Sequence, residues 1–222
     1  MSAPEAYPLD EMLGRVETQI AGFPKAAMFG LADEGYDSLY EQLVSCVLSI
    51  RTYDETSFPA SVALFALART PEAMLAVDRE RIVETIARCT YPGQKADTIL
   101  ALSRAIVEDY DGRAPADFDA LTAVRGIGPK CANLALGVAL GLPAISVDVH
   151  VHRVVNRWGL VETKDPKQTL AALERVVPRE CWVDVNRLLM PFGKRICVGR
   201  RPRCGACAVR AYCDYGRTVA NE

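Results

Sequence analysis

The sequence of 222 residues has almost no net charge, −2 at neutral pH, so overall charge selects no class of partner. It has no segment suited to crossing a bilayer. The uncharged run from Cys131 to Val147 is 17 residues long and is interrupted by Asn133, Gly137, Gly141 and Pro143. A membrane span needs about 20 apolar residues, so a buried core helix followed by a turn is the better reading. The opening residues, MSAPEAYPLDEML, show neither the basic start nor the apolar run of a secretory signal. No internal repeat and no low-complexity segment is present. These absences leave a soluble, intracellular protein with no membrane partner. At 50% hydrophobic composition, the chain is long enough for one or two domains with a real core.

Charge is unevenly distributed. Arg187, Lys194, Arg195, Arg200, Arg201, Arg203 and Arg210 fall between Val185 and Cys213 with no acidic residue among them, whereas the first forty residues are mainly acidic. A local positive face is compatible with nucleic-acid binding, and equally with a solvated surface.

Cysteine is plentiful but not spread as a disulfide framework would be. Cys46, Cys89, Cys131 and Cys181 are isolated in apolar segments and read as buried packing residues. The other four, Cys197, Cys204, Cys207 and Cys213, have the spacing C-x6-C-x2-C-x5-C. Four thiolates so close can wrap one compact metal site. Zinc and a [4Fe–4S] cluster both fit the ligand count.

Helix signals dominate. Leu39, Leu43, Val44, Val47 and Leu48 share one helical face. Thr70-Pro71 reads as an N-cap followed by proline at the first helical position. Asp78 starts another helix, and Asp165-Pro166-Lys167-Gln168 approximates a capping box. The alternation of Ile145, Val147, Val149 and Val151 suits a strand, but a lone strand would have no partner. A turn ending at Asp148, then a helix from Val149 through Trp158, is preferred.

The stretch VRGIGPKCANLALG carries the chemistry. A short helix begun near Asp117 ends by Val124. Gly126-Ile127-Gly128 then forms a tight hairpin, and Pro129 opens the next helix. In such a helix-hairpin-helix, backbone N–H groups at the hairpin and the new helix N-terminus can meet a DNA phosphate. Lys130 in the first turn has two readings. One is a second phosphate contact. The other is a nucleophile, which must act as the neutral amine although lysine ordinarily titrates at about 10.4. A helix N-terminus and an apolar neighbourhood both disfavour the ammonium form. Asp148, 18 residues on, reads as a helix N-cap and as the carboxylate that such a nucleophile needs.

Together, GIGPKCAN, VDVHVHRVVNR and the cysteine quartet resemble the endonuclease III family of helix-hairpin-helix, iron–sulfur DNA glycosylases, from about Leu43 to Cys213. The resemblance implies an all-α fold of two helical domains with a DNA-binding cleft between them. Residues 33–142 would form a six-helix barrel carrying the hairpin, and residues 1–32 with 143–222 a discontinuous iron–sulfur domain. It implies a [4Fe–4S] cluster on the four cysteines. It also implies a bifunctional DNA N-glycosylase and abasic-site lyase of base excision repair, removing oxidised pyrimidines from duplex DNA. Lys130 would be the Schiff-base lysine and Asp148 the essential aspartate, with His150 in support. The partner would be double-stranded DNA with a damaged base or abasic site. The protein would act as a cytoplasmic, nucleoid-associated monomer.

Two departures bear on lesion preference. Arg51 stands where the family often has glutamine to fill the space left by the flipped base. The wedging loop, usually Leu-Tyr-Asn-x-Lys-Ala, reads TYPGQKA here, Thr90 to Ala96, one residue longer and without the leucine. Thr90 and Tyr91 are its candidate DNA contacts. A monofunctional adenine-mismatch glycosylase of this fold would lack Lys130. A non-catalytic, redox-sensing iron–sulfur protein would not need the Lys130 and Asp148 pair.

Overall fold

The computed structural model describes residues 8–219. Among them the regular elements are all helical: α1 Leu9–Ile20, α2 Ala27–Asp33, α3 Leu39–Ser49, α4 Asp54–Phe65, α5 Pro71–Leu75, α6 Arg79–Thr85, α7 Pro92–Asp109, α8 Phe118–Ala123, α9 Pro129–Leu140, α10 Val149–Trp158, α11 Pro166–Val176, α12 Trp182–Arg195 and α13 Asp214–Thr218. Three short 3₁₀ turns lie at Arg179–Cys181, Cys204–Ala206 and Arg210–Tyr212. No described helix is long and apolar enough to cross a membrane.

The chain divides into two compact units. Ala26–Leu142 form one, and the residues up to Lys25 join those from Pro143 onward in the other. Residues 26–32 therefore group with the central unit, because α2 packs on α3, α4 and α9.

The central unit is organised by α3. Its start is fixed by a capping box: the Ser38 side chain accepts from the Glu41 N–H, and the Glu41 carboxylate accepts from the Ser38 N–H. From Leu39 to Leu48 every residue is buried, with α4, α7 and α9 packed around them. The buried Glu41 carboxylate is held by Arg69 Nε at 2.6 Å. The sequence reading of Cys46 and Cys131 as separate packing residues is corrected here. Both are buried, but they form a disulfide joining α3 to α9, with Cα atoms 5.6 Å apart. A separation of 85 residues left no local signal for that pairing. Cys89 is buried and unpaired, and Cys181 is partly exposed with its thiol donating to Asp10 at 3.4 Å.

The other unit packs around Trp158 and Phe192, whose ring centroids lie 6.2 Å apart. α1 contributes Met12 and Val16, both fully buried, against α12. α10 runs from Val149 to Trp158 as expected, and Ile145 and Val147 are buried in the non-helical segment before it. α10 and α12 approach closely at Gly193, where an added Cβ would lie 2.9 Å from the His150 Cβ.

The hairpin between α8 and α9 uses its two glycines differently. Gly126 has φ of 94°, and an added Cβ would meet Thr98 Cγ2 at 2.5 Å. Gly128 is the N-cap of α9 with φ of −95°, and nothing lies within 4 Å of where its Cβ would be. Gly126→Ala is therefore expected to destabilise the protein by about 1–3 kcal/mol through strain and collision. Gly128→Ala should cost less, only the smaller loss of a favourable N-cap residue. Thermal denaturation of the two variants checks the contrast.

Candidate functional site

The hairpin residues do not all face the same way. Ile127 is 3% exposed, and its N–H donates to the Val124 carbonyl at 3.0 Å. It shapes the hairpin from inside, because its side chain lies in the core and its N–H is already used. Gly126 and Gly128 are exposed. Neither backbone strain nor packing requires glycine at 128, so the bare Cα suits close approach of an external group. Lys130 lies in the first turn of α9 and is exposed. The apolar surroundings expected of it belong instead to the buried residues from Cys131 to Gly137.

The segment from Thr90 to Ala96 is mostly not a loop. Pro92 occupies the first position of α7, so only Thr90 and Tyr91 remain outside the helix. Thr90 Oγ1 donates to the Arg51 carbonyl at 2.7 Å. Tyr91 is 55% exposed, and Arg51 is exposed as well. Both have left-handed backbones, with φ of 54° and 53°. Lys95, which the sequence reading passed over, is buried beneath them. Its ammonium donates to the Leu48 carbonyl and to Thr52 Oγ1, each at 2.6 Å. Burial lowers its pKa from the ordinary lysine value.

In the other unit, Asp148 is the N-cap of α10. Its Oδ1 accepts from the His150 and Val151 N–H groups, both at 2.8 Å. These bonds fix the carboxylate's orientation and leave Oδ2 outside them. His150 Nδ1 accepts from Arg153 Nη2 at 3.1 Å, which places the proton of the neutral ring on Nε2. Arg153 also donates to the Gly193 carbonyl at 2.8 Å and to the Cys197 carbonyl at 3.0 Å. One turn later, Arg157 donates to the Val198 and Gly199 carbonyls, both at 2.7 Å, and to Cys197 Sγ at 3.4 Å. The Cys213 thiol in turn reaches the Arg157 carbonyl at 3.2 Å.

Cys197, Cys204, Cys207 and Cys213 line one pocket, whose walls include Trp158 and Phe192. Among the described residues no three donors converge on a point that could hold a single metal ion. Burial pushes the Cys207 thiol up to about 11, and the neighbouring three cysteines add to the rise. Gln19 of α1 ties down the intervening loop. Its amide donates to the Ala206 carbonyl at 2.5 Å and accepts from the Ala208 N–H at 3.0 Å. Of the seven basic residues noted in the sequence, Arg187 bonds Glu17 and Asp184, and Arg210 bonds the Gly216 and Val219 carbonyls. Arg200, Arg201 and Arg203 are exposed between the first two cysteines. The structural arginines Arg153 and Arg157 were missed, although their four-residue spacing within VHRVVNR puts both on one helical face.

Comparison with known proteins agrees with this arrangement. The model of the HhH-GPD superfamily of base excision DNA repair proteins matches residues 44–179. Endonuclease III of Thermotoga maritima is 38% identical over 178 residues, covering 80% of this chain and 84% of that protein. Endonuclease III of Escherichia coli K12 is 35% identical over 184 residues, covering 83% and 87%. A solved structure of a trapped endonuclease III–DNA covalent intermediate superposes with a TM-score of 0.81 at 26% identity, covering 97% of this chain and 98% of that one. The chain belongs to the HhH-GPD superfamily of base excision DNA repair proteins, on its endonuclease III branch, whose members are DNA glycosylases and abasic-site lyases.

Proposed function

We propose that this chain excises oxidised pyrimidines from duplex DNA and cleaves the resulting abasic site through a Schiff base on Lys130. The observation that carries the reading is Lys130 itself, an exposed primary amine two residues beyond Gly128 on a helix whose N-terminus suits a phosphate. The reading is that of a cytoplasmic, nucleoid-associated monomer acting on a flipped nucleotide.

The neutral Lys130 amine attacks the sugar C1′. The bond from C1′ to the base breaks, and the base leaves with the electron pair and takes up a proton. Nζ gives up a proton, the C1′–O4′ bond breaks with O4′ taking the electron pair and a proton, and a protonated imine forms between C1′ and Nζ. Loss of a C2′ proton then expels the 3′ phosphate by β-elimination. Asp148 supports the cationic sugar and the proton transfers with the carboxylate oxygen outside its helix cap, while its other oxygen stays bonded to the cap. His150 keeps a supporting place through its bonds to Asp148 and Arg153. Gly126 and Gly128 offer backbone to a phosphate. Tyr91 takes the wedge position, because Thr90 is bonded to Arg51 and is the less exposed of the two. Arg51 faces the orphaned base, where a guanidinium suits guanine-like acceptors.

The four cysteines fit a [4Fe–4S] cluster better than one zinc ion. They line one shared pocket, and four thiolates on one short stretch of chain are the ligand set of such a cluster. When bound, its cationic core offsets the thiolate charge that burial opposes. It has no part in the steps above.

Lys130→Gln should abolish the borohydride-trapped adduct on abasic-site DNA while DNA binding survives, and persistent trapping would identify another amine as nucleophile. Asp148→Asn should slow base removal strongly in single-turnover assays with little change in binding. Anaerobically purified protein should contain four irons per chain with brown absorbance, by analogy with the four-cysteine clusters of this kind; stoichiometric zinc without iron would refute the cluster. Cys204→Ser should lose colour and solubility together. On one thymine glycol duplex, Tyr91→Ala should reduce single-turnover excision more than Thr90→Ala, and the reverse order would move the wedge to Thr90.

A further inference from the structure

We propose that Lys95 is a positioning residue that makes the Ile50–Tyr53 turn and the Thr90–Tyr91 turn one rigid ridge, which enters the gap beside a flipped nucleotide. The proposal rests on the function read above and assigns a role to a residue outside the chemistry.

The last four carbonyls of a helix have no partner within it. At the end of α3 each finds a different one. The Cys46 carbonyl accepts from Ser49 Oγ at 2.8 Å and the Val47 carbonyl from the Ile50 N–H at 3.3 Å. The Ser49 carbonyl accepts from the Thr52 N–H at 3.1 Å. The Leu48 carbonyl takes the Lys95 ammonium, supplied by the first turn of α7. A cation suits this end of a helix dipole. The same ammonium bonds Thr52 Oγ1, which also accepts from the Thr90 N–H at 3.2 Å. Thr90 Oγ1 closes the circuit on the Arg51 carbonyl. Both turns are thus bonded through one buried cation, only 5% exposed.

What the circuit holds is strained. Arg51 and Tyr91 are non-glycine residues in left-handed backbone, which their side chains disfavour. Such conformations persist where their surroundings over-determine them. Here they carry two exposed side chains, Arg51 and Tyr91, on top of a buried anchor. A probe that must enter a duplex gains from being ordered beforehand, since ordering on contact would be subtracted from binding. An apolar residue at 95 would fill the space, leave the Leu48 carbonyl without its ammonium donor and leave Thr52 Oγ1 with only the Thr90 N–H.

The test measures affinity for two duplexes, one undamaged and one containing a tetrahydrofuran abasic analogue with 2-aminopurine opposite. Wild type should prefer the analogue and raise the 2-aminopurine emission on binding. Lys95→Met should lose roughly tenfold of that preference, the order expected for losing a charged hydrogen bond. Its affinity for undamaged DNA should stay at the wild-type level, because the hairpin is untouched, and its emission change should be weaker. Thr52→Val removes the shared oxygen at nearly constant volume and should reproduce both effects; it decides the matter if Lys95→Met fails to fold. Preference retained in a folded Lys95→Met or in Thr52→Val overturns the brace while leaving the proposed function standing. A wild-type protein without preference for the analogue overturns both.

Discussion

Two guanidiniums one helical turn apart hold the carbonyl of Cys197, Arg153 Nε at 3.0 Å and Arg157 Nη1 at 3.4 Å. That grip ties the end of α12 and the start of the cysteine loop to α10. α10 begins at the Asp148 cap and carries both arginines on its inner side. It therefore fixes, on one rigid rod, the carboxylate assigned to the chemistry and the first cysteine of the quartet. Both guanidiniums are half-buried and bond mainly to fixed carbonyls, which a planar fork does with less loss of freedom than an ammonium. Gly193 permits the arrangement, since a side chain there would push α12 away from His150 and take the Gly193 carbonyl off Arg153.

Much of this was legible in the sequence, for local reasons. Caps are local, and Thr70, Asp117, Asp148 and Asp165 each accept from a backbone N–H two or three residues on. The hairpin glycines, Pro129 and the cysteine spacing are local too. What the sequence concealed is non-local. The Cys46–Cys131 disulfide, the Gln19 clamp on the cysteine loop and the Lys95 bond to Leu48 join residues brought together only by folding. Ile127 also shows the limit of a motif. Its place in the hairpin suggested a DNA contact, yet burial and the bond to Val124 make it part of the hairpin's frame. The apolar surroundings predicted for Lys130 failed for a similar reason, since the apolar run starts one residue later and faces inward while Lys130 faces water.

The two glycines of the hairpin separate architecture from recognition. Gly126 is required by its own backbone and by Thr98, so it would be needed in any protein that made this turn. Gly128 is required by neither, and its lack of a side chain has meaning only for something outside the chain. The same distinction applies to the cations. Arg153, Arg157, Arg187 and Lys95 are structural, each bonded within its own unit, while Arg200, Arg201 and Arg203 stand exposed. Within the Val185–Cys213 window, the bonded cations serve the fold and Arg200, Arg201 and Arg203 stay exposed between the first two cysteines.

The division into a contiguous unit and a discontinuous one has a consequence for biogenesis. Ala26–Leu142 can close as soon as those residues have been synthesised, because α2 to α9, which pack on one another, all lie within that span. The other unit must wait, since α1 packs against α12, some 160 residues later in the chain by the span between Ile20 and Trp182. Contacts of such long sequence separation are slow to form, and domains close in the order in which they emerge. Until then Met12 and Val16 of α1 lack the partners that bury them. The cysteines come later still, after every residue of α12 has been synthesised. Any stall between Leu142 and Cys197 would leave a folded central unit bearing Lys130 but without Asp148's fixed cap or the cysteine loop.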